Sequence, residues 1–505
     1  MKKKTLLLLF AIPALVLGAC SKGNKSSSEV IDSSSSNDDR GSSSLVSSSS
    51  DNPSSSSLIS SSNPQSSSNK GSSSSDTPGS DPSLTEFEVE FSPFINKERS
   101  FYNIRLTYSD NYFLTDPDTY DKDLSLLSYG ASVVTGSKED VDLFFTPIKF
   151  DNVVYHDYYV VPTAETVGHT FAHKEINGYH VIAIVVRGFE YGMEWANNFE
   201  IGYSGNHEGF NKSANTIYSH LKDYLSDKSF TSNLKLWLTG YSRGGAIANV
   251  LADTIIRNDE LDLYNDKLYA YTFEAPRGLD ASTLQAYPFV HNIINNNDVV
   301  ANIPPASYGL GRCGVDYPIY DENVSMLMSD YDDGAVIAEY TPVTIDGTTY
   351  NTETELVAHL LDHIFNNQSA SAAEYTANNR AEYVDRYQDG LSHLIGYVFA
   401  LKEETRQSLI TDLKNASFFD ILGYLSSGES LATFLETYLD RDNISYNHEL
   451  LASDCQVALN AISYLFNELF TLYLNSSYKP ILMRLLAMHY PEVTYVLLQS
   501  AHERP

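Results

Sequence analysis

Cysteine is scarce in this 505-residue chain, which contains three: Cys20, Cys313 and Cys455. Beyond Cys20, only Cys313 and Cys455 remain, and these two allow one disulfide bridge at most. The sequence therefore excludes a scaffold held together by disulfides. It also excludes a cysteine-rich metal site, and we expect neither a metal nor a cofactor.

Basic residues are also few, with 33 Lys and Arg against 65 Asp and Glu, and the formal net charge is −32. Removing Lys2, Lys3 and Lys4 with a leader peptide would take this charge from −32 to −35. So negative a chain is repelled by polyanions, which argues against a nucleic-acid partner and against polyanionic substrates. We expect anionic membrane surfaces to repel the folded domain as well.

The apolar segment from Leu6 to Leu17 follows three lysines and is too short to cross a bilayer comfortably. It leads into Leu17-Gly18-Ala19-Cys20, which resembles the lipobox of bacterial lipoproteins. The resemblance implies cleavage before Cys20 and attachment of a diacylglyceryl group to its sulfur. We therefore expect residues 1–19 to be a signal peptide and Cys20 to anchor an extracytoplasmic protein to a bacterial membrane. An uncleaved membrane anchor is the alternative.

Residues 20–83 begin with the anchoring Cys20, and runs of serine dominate the rest of this range, from Ser21 to Ser83. Such a composition cannot bury enough apolar surface to fold, so it predicts a disordered tether. A coil of this length has a root-mean-square reach of about 45 Å, enough to hold a domain clear of the lipid headgroups. From about Leu84 the sequence becomes aromatic-rich and periodic, which predicts one domain over residues 84–505.

The most informative segment runs from Leu234 to Val250 and reads LKLWLTGYSRGGAIANV. Its first residues predict a short buried strand, and apolar residues at helical spacing follow from Ala246. Gly240 and Gly244 flank Ser242 and allow a sharp turn that presents the hydroxyl. The N-terminus of the following helix would favour negative charge beside that hydroxyl. This layout is typical of a serine hydrolase nucleophile, although the bare Gly-x-Ser-x-Gly pattern also occurs by chance.

Four further segments occur in a recognisable order around this turn. They are the strand Val181 to Val186 leading to Arg187-Gly188-Phe189, then His207-Glu208-Gly209-Phe210, Thr272-Phe273-Glu274-Ala275-Pro276-Arg277, and the stretch from Asn295 to Pro305. With the serine turn, they resemble the ordered motifs of the class 3 lipases, which are fungal-lipase-like α/β-hydrolases. The resemblance covers about Asp110 to Pro305.

This resemblance implies an α/β-hydrolase fold with a mostly parallel central sheet. It also implies Ser242 as nucleophile, Asp298 as the residue that orients the histidine, and the backbone N–H groups of Phe189 and Arg243 as oxyanion donors. The departures from the family motifs are Phe189 for Thr, Tyr241 for His, Arg243 for Leu, Glu274 for Gly and Ala301 for Pro. Backbone donors survive such replacements, and the side chains of Phe189 and Arg243 could instead shape the substrate pocket.

The histidine of the triad has three candidates after Asp298. His359 and His363 lie on a predicted helix at a distance from Asp298 near the usual family spacing. His489 lies in His-Tyr-Pro-Glu, similar to a His-x-Pro-Glu motif before the terminal helix of the lipases. We choose His489 because a catalytic imidazole belongs on a turn, and keep His363 as the alternative. His207 precedes the nucleophile, which is the wrong order for this fold, so we expect it to be structural or to line the pocket.

The choice of His489 makes residues from about 320 to 477 a helical insertion. The predicted helices in and near it are Leu356 to Phe365, Ala381 to Leu401, Gln407 to Leu425 and Ala452 to Leu474. We expect a helical cap over the site, either a mobile lid or simply packed helices. A lid of the fungal type would fall in Phe189 to Asn206, which is short here.

Two functions from different classes follow. The first is a lipid-anchored extracytoplasmic serine ester hydrolase, a triacylglycerol lipase or related carboxylesterase, where the resemblance implies the lipid ester substrate and the residues alone support ester hydrolysis. The second is a hydrolase-fold surface lipoprotein that has lost catalysis and serves as a binding module. The presence of both Ser242 and Asp298 favours the first.

Overall fold

The computed structural model describes residues 81–92, 94–95, 101–156, 167–188, 193–258, 260–261, 267–332, 334–366, 380–416, 420, 423–465 and 477–503. Side chains at 362–366, 414–415 and 462–465 are not described. The predicted signal peptide, Cys20 and nearly all of the predicted tether lie outside these residues, as does Phe189. From Ser83 onward the described residues belong to one unit.

A hairpin and two helices precede the main sheet. They are β1 (Thr85–Phe91), β2 (Tyr102–Tyr108), α1 (Lys122–Val133) and α2 (Lys138–Ile148). The hairpin strands pair antiparallel, with Thr85 opposite Tyr108. Asp121 caps α1 by accepting from the backbone N–H groups of Asp123 and Leu124, so the helix begins where its sequence supplies a capping carboxylate.

Strands and helices then alternate through the main sheet. The elements are β3 (Asp151–Tyr155), β4 (His169–Ile176), β5 (Tyr179–Val186), α3 (Glu208–Asp227), β6 (Leu234–Tyr241), α4 (Arg243–Asn258), β7 (Leu268–Phe273), β8 (Leu279–Asp280), β9 (Val290–Asn295), β10 (Leu310–Gly311) and β11 (Val315–Ile319). Seven of these strands form one sheet in the order β11-β9-β7-β6-β5-β4-β3. The five from β5 to β11 are parallel, whereas β3 and β4 pair antiparallel at one edge. The short strands β8 and β10 pair separately.

Alternate residues of the central strands pack into two different cores. Ala183, Val185 and Trp237 belong to a core with α1, α2 and the last helix of the chain. Ile182 and Ile184 belong to a second core with α3 and α4. A parallel sheet buried on both faces by helices confirms the predicted α/β-hydrolase fold with its mostly parallel sheet.

The region after β11 is mostly helical. Its elements are α5 (Val324–Tyr331), β12 (Val343–Ile345), β13 (Thr348–Tyr350), α6 (Glu353–Asn366), α7 (Arg380–Tyr383), a π-helical turn (Val384–Gln388), α8 (Asp389–Ala400), α9 (Glu403–Asn415), α10 (Gly428–Asp442), α11 (His448–Leu465), α12 (Lys479–Ala487) and α13 (Pro491–Glu503). Within the described ranges, every helix is too short or too polar to span a bilayer.

One helix predicted in this region needs correction. The helix predicted to run from Gln407 to Leu425 is interrupted, since α9 ends at Asn415, Ala416 takes a ψ of 144°, and helical residues recur at Asp420 and at Gly423 and Tyr424. The extended backbone at Ala416 interrupts the helix, and apolar spacing in the sequence does not reveal such a break. A new helix, α10, begins after Ser427, whose side chain accepts from the N–H of Ser430. Cys313 and Cys455, whose pairing the sequence left open, are both buried free thiols.

Candidate active site around Ser242

Ser242 lies in a sharp turn between β6 and α4, with φ at 53°, in the left-handed region. A Cβ on Gly188 would lie 1.6 Å from the carbonyl oxygen of Tyr241, and one on Gly244 would lie 2.4 Å from that of Val186. Only glycine permits the two chain segments to approach so closely. The turn is held by a 2.8 Å hydrogen bond from Ser242 N–H to the carbonyl of Phe273. The strained backbone of this turn is therefore at Ser242 itself, the residue whose hydroxyl the turn presents.

The structure brings Ser242, His489 and Asp298 together in that order. Ser242 Oγ lies 2.7 Å from His489 Nε2, and His489 Nδ1 lies 2.5 Å from Asp298 Oδ2. Asp298 is fully buried, while the His489 side chain keeps 18% of its exposure and Ser242 keeps 8%. A carboxylate on Nδ1 fixes the tautomer that leaves Nε2 able to accept the serine proton.

Local backbone bonds fix the acid and the histidine. Asp298 follows β9, where its N–H donates to Asn295 O at 2.9 Å and its Oδ1 accepts from Val300 N–H at 2.7 Å. His489 lies on the turn between α12 and α13, and the side-chain amide of Asn295 donates to the neighbouring Met488 carbonyl at 3.1 Å. Asn295 therefore ties the strand that carries the acid to the turn that carries the base.

A network of buried polar side chains contacts the histidine of this triad, and the sequence did not predict a role for its members. The hydroxyl of Tyr241 donates to the backbone carbonyl of His489 at 2.9 Å and lies 3.0 Å from Thr494 Oγ1. Thr494 donates in turn to Glu274 Oε1 at 3.2 Å. Tyr241 and Glu274 stood out in the sequence only as departures from the family motifs. Their partner Thr494, beyond the Pro-Glu of the histidine turn, gave no signal at all.

The oxyanion side is described in part. The backbone N–H of Arg243 begins α4 next to Ser242, whereas Phe189, the other predicted donor, lies outside the described residues. The Arg243 side chain is buried, with Nη2 2.7 Å from Asn197 Oδ1 and Nη1 3.7 Å from Glu194 Oε2. It therefore does not shape a substrate pocket in the way the sequence allowed. Glu194 also pairs with Arg187 at 2.7 Å. One carboxylate therefore joins the end of β5, which leads to the predicted oxyanion donor Phe189, to the turn that carries Ser242. We call β5 the oxyanion strand and the Ser242 turn the nucleophile turn.

The remaining histidine candidates occupy other surroundings. His207 caps α3 by accepting from Phe210 N–H, and its Nε2 lies 3.2 Å from the Asn198 carbonyl. Burial lowers the pKa of His207 to about 3, so it stays neutral and structural in this position. The ring of His359 stacks on Tyr350. His363 lies on α6, and its side chain is outside the described set.

The segment that a fungal-type lid would occupy is bound by the helical region. Arg380 donates to the carbonyls of Ile201 at 2.7 Å, Gly205 at 2.7 Å and Asn206 at 3.0 Å. Ala196 of this segment packs in an apolar cluster with Ile395, Val398 and Phe399 of α8. The described part of the segment is therefore held by a buried cation and an apolar contact.

Among the described residues, one group of three side chains has its possible metal-ligand atoms within 4.8 Å of one another, and it consists of His156, His169 and His220. His220 Nδ1 and His169 Nε2 lie 3.2 Å apart, while the His156 ring stacks face-on over both, at 4.1 Å and 1° from His220 and at 4.0 Å and 18° from His169. A metal binds a ring nitrogen in the ring plane, and the lone pairs of stacked rings run parallel rather than converging. We interpret this cluster as stacked packing.

Sequence comparison finds similarity to a known family over part of the chain. The sequence model for lipase (class 3) matches residues 175–308, a range that contains Ser242 and Asp298 and ends before His489. A lipase from Rhizomucor miehei is 31% identical over 134 residues, which are 25% of this chain and 36% of that protein. The chain thus matches about a third of this relative's length.

Comparison with solved structures finds fungal lipases at lower identity. The Rhizomucor miehei triacylglyceride lipase is 22% identical, with 42% of this chain and 81% of that chain covered and a TM-score of 0.30. Lipase II from Rhizopus niveus is 20% identical, with the same coverage and a TM-score of 0.30. The fold assignment depends on the strand order and connections of the sheet itself, and the sequence similarity to the class 3 lipases concerns residues 175–308.

Proposed function

We propose that this protein is a serine ester hydrolase that cleaves carboxylic esters through Ser242, His489 and Asp298. The observation that carries the proposal is the continuous chain of hydrogen bonds from Ser242 Oγ at 2.7 Å to His489 and from His489 at 2.5 Å to buried Asp298. Nucleophile, base and orienting acid are thereby in hydrogen-bond reach in the order that covalent catalysis needs.

The acylation step uses each group once. His489 Nε2 removes the proton of Ser242 as Oγ attacks the ester carbonyl carbon, and the carbonyl oxygen becomes an oxyanion. The backbone N–H of Arg243 and the positive end of α4 stabilise that charge. The intermediate then expels the alcohol, which takes its proton from His489, and the acyl group stays on Ser242.

Water completes the cycle by the same groups. His489 removes a proton from water as its oxygen attacks the acyl-enzyme, and then returns that proton to Ser242 as the carboxylic acid leaves. Asp298 stabilises the imidazolium that forms in both halves and stays ionised throughout.

Lipid esters are the proposed substrate class, with triacylglycerols and related carboxylic esters as its members. The support is the similarity of residues 175–308 to the class 3 lipases and of the chain to a protein named as a lipase.

We also propose that the protein is extracytoplasmic and bound to a bacterial membrane through a lipid on Cys20. The support is the lysine-rich, apolar leader that ends in Leu-Gly-Ala-Cys. Replacing Cys20 by Ser should move the protein from the membrane pellet to the soluble fraction of its cells. Retention of the variant in the pellet would contradict the lipid anchor.

The function is tested with the full-length chain and a fluorophosphonate probe, which labels an activated serine whatever the natural substrate. We expect covalent labelling at Ser242, together with hydrolysis of p-nitrophenyl butyrate and of triacylglycerol emulsions. Ser242→Ala should lose both and keep its circular dichroism spectrum. A folded wild-type protein that takes no label and cleaves no ester would favour the binding lipoprotein instead.

A further inference from the structure

Glu274 occupies a position where a glutamate is energetically unfavourable for two reasons. It is fully buried, and its φ of 47° lies in the left-handed region that favours glycine. The family motif that this segment resembles has glycine there. A residue that bears both backbone strain and a buried carboxyl needs a reason in its contacts.

The contacts place the Glu274 carboxyl directly behind the acid of the triad. Its Oε2 accepts from the backbone N–H of Asn295 at 2.9 Å, and its Oε1 accepts from Thr494 Oγ1 at 3.2 Å. Its side chain is also hydrogen-bonded to that of Asp298. Asp298 in turn is hydrogen-bonded to His489, and His489 to Ser242, so a continuous series of contacts connects Glu274 with the nucleophile.

A hydrogen bond between two carboxyl groups requires a hydrogen on one of them. The groups that face Glu274 from the packed elements are Asp298 after β9, Tyr241 at the end of β6, Thr494 on α13 and Tyr129 on α1. Within the described residues, none of the ion pairs brings a basic group to Glu274. Two buried carboxylates without a cation between them cannot both be ionised.

We propose that Glu274 is a protonated positioning residue that donates its hydrogen to Asp298, weakens the hold of that carboxylate on His489, and so sets the acidic end of the active pH range. The inference rests on the proposed function and concerns the same site. Asp298 has the stronger need for negative charge because it faces the imidazolium. The shared proton therefore belongs to Glu274.

The electrostatics agree with this assignment. Burial, and after it the charge of Asp298, raise the pKa of Glu274 well above its ordinary value. A donor on Asp298 disperses part of its negative charge, and a less negative partner favours neutral over protonated histidine. The donor thus keeps His489 able to act as base at lower pH than Asp298 alone would permit.

Two variants separate the shared proton from a merely structural role. Glu274→Gln keeps a hydrogen-bond donor of the same length without any charge. Glu274→Gly removes the carboxyl and suits the positive φ, so loss of folding is not expected. The full-length protein is assayed for kcat/KM on p-nitrophenyl butyrate across pH, and the midpoint of the acidic limb is compared.

We expect Glu274→Gln to keep the wild-type midpoint and Glu274→Gly to raise it by about one pH unit. In Glu274→Gly no donor disperses the negative charge of Asp298, so the full charge acts on His489. Equal midpoints in all three proteins would overturn the inference and leave Glu274 structural. A Gln midpoint shifted like that of Gly would also overturn it, since a hydrogen-bond donor at this position would then not account for the wild-type midpoint.

An infrared measurement keeps the inference separate from the hydrolase proposal. A protonated buried carboxyl has a C=O stretch that ionised carboxylates lack, and the band should disappear in Glu274→Gln even if no ester is cleaved. Absence of a carboxyl C=O band from the difference between the wild-type and Glu274→Gln spectra at neutral pH would overturn the shared proton, since the buried Glu492 carboxyl contributes equally to both spectra. Lack of fluorophosphonate labelling, in contrast, would overturn the proposed function while leaving the band unaffected.

Discussion

The hydroxyl of Tyr241 donates a 2.9 Å hydrogen bond to the backbone carbonyl of His489, a residue 248 positions further along the chain. The residue that precedes the nucleophile therefore also fixes the turn that carries the base. Tyr241 is buried and its hydroxyl lies 3.0 Å from Thr494 Oγ1 as well, so its position is determined from both sides. This bond gives a physical role to one of the departures from the family motif.

Replacing Tyr241 by Phe removes this hydroxyl and leaves the His489 carbonyl without its donor. We expect a loss of about 1–3 kcal/mol in the free energy of unfolding, since a buried acceptor is left unsatisfied. We also expect a lower kcat with little change in KM, because the histidine turn loses one of its supports while substrate contacts remain. Urea unfolding and ester hydrolysis measure the two effects.

The matched control is Tyr203→Phe. The Tyr203 hydroxyl also donates a hydrogen bond, in this case to the Asp385 side chain at 2.7 Å, but 63% of this tyrosine is exposed. Its replacement should change the unfolding free energy by no more than about 0.5 kcal/mol. Equal losses in the two variants would contradict the role given to Tyr241.

The choice between His489 and His363 gives a second prediction. His489→Ala removes the base at 2.7 Å from Ser242 Oγ, and kcat should fall by about a thousandfold or more. His363→Ala alters a residue on α6 and should leave kcat within about twofold, a small change of the kind expected away from the reacting atoms. Steady-state hydrolysis of p-nitrophenyl butyrate distinguishes them, and loss of activity in His363→Ala alone would reverse the assignment.

The buried carboxylate of Glu194 gives a third prediction. It is fully buried and lies near two buried guanidinium groups, those of Arg187 at 2.7 Å and Arg243 at 3.7 Å. Glu194→Gln removes the carboxylate that faces these two buried cations, and we expect a loss of about 3–5 kcal/mol in unfolding free energy.

The control for this variant is Glu88→Gln. Glu88 pairs with Arg105 at 3.2 Å, but their side chains are 51% and 76% exposed. Solvent screens such a pair, so its loss should change stability by at most about 1 kcal/mol. If Glu194→Gln were equally mild, the carboxylate would not hold the oxyanion strand to the nucleophile turn.

The parts of the site that the sequence predicted are those with a local cause. Gly240 and Gly244 around Ser242 specify a turn within five residues, and the structure has that turn between a strand and a helix. The loop position of His489 was equally readable, because it falls between an apolar helix and Pro491, which begins the next. The catalytic roles of these residues stay predictions until they are measured.

The parts that the sequence did not predict depend on long-range contacts. The roles of Tyr241 and Glu274 arise from Thr494, which lies 253 and 220 positions away from them. No spacing rule connects such residues. The antiparallel edge formed by β3 and β4 was likewise missed, since apolar runs alone do not give strand direction.

The buried carboxyl of Glu492 gives a prediction about pH and stability. Its Oε1 accepts from the backbone N–H groups of Phe94 at 2.8 Å and Ile95 at 2.6 Å, and burial raises its pKa from 4.5 to about 7. Between these two values the folded protein holds a proton that the unfolded chain releases. Stability therefore falls as pH rises through this window, by about 3 kcal/mol for this group.

Glu492→Gln keeps an acceptor for both N–H groups and removes the titration. Below pH 4.5 the variant and the wild-type protein should be equally stable, and above pH 7 the variant should be more stable by about 3 kcal/mol, because the wild-type protein then carries a buried charge. Urea unfolding at a series of pH values gives the difference directly. Glu90→Gln, which alters an exposed residue of β1, should follow the wild-type curve throughout. A Glu492→Gln curve that runs parallel to the wild-type curve at all pH values would mean that folding does not raise the pKa of this carboxyl.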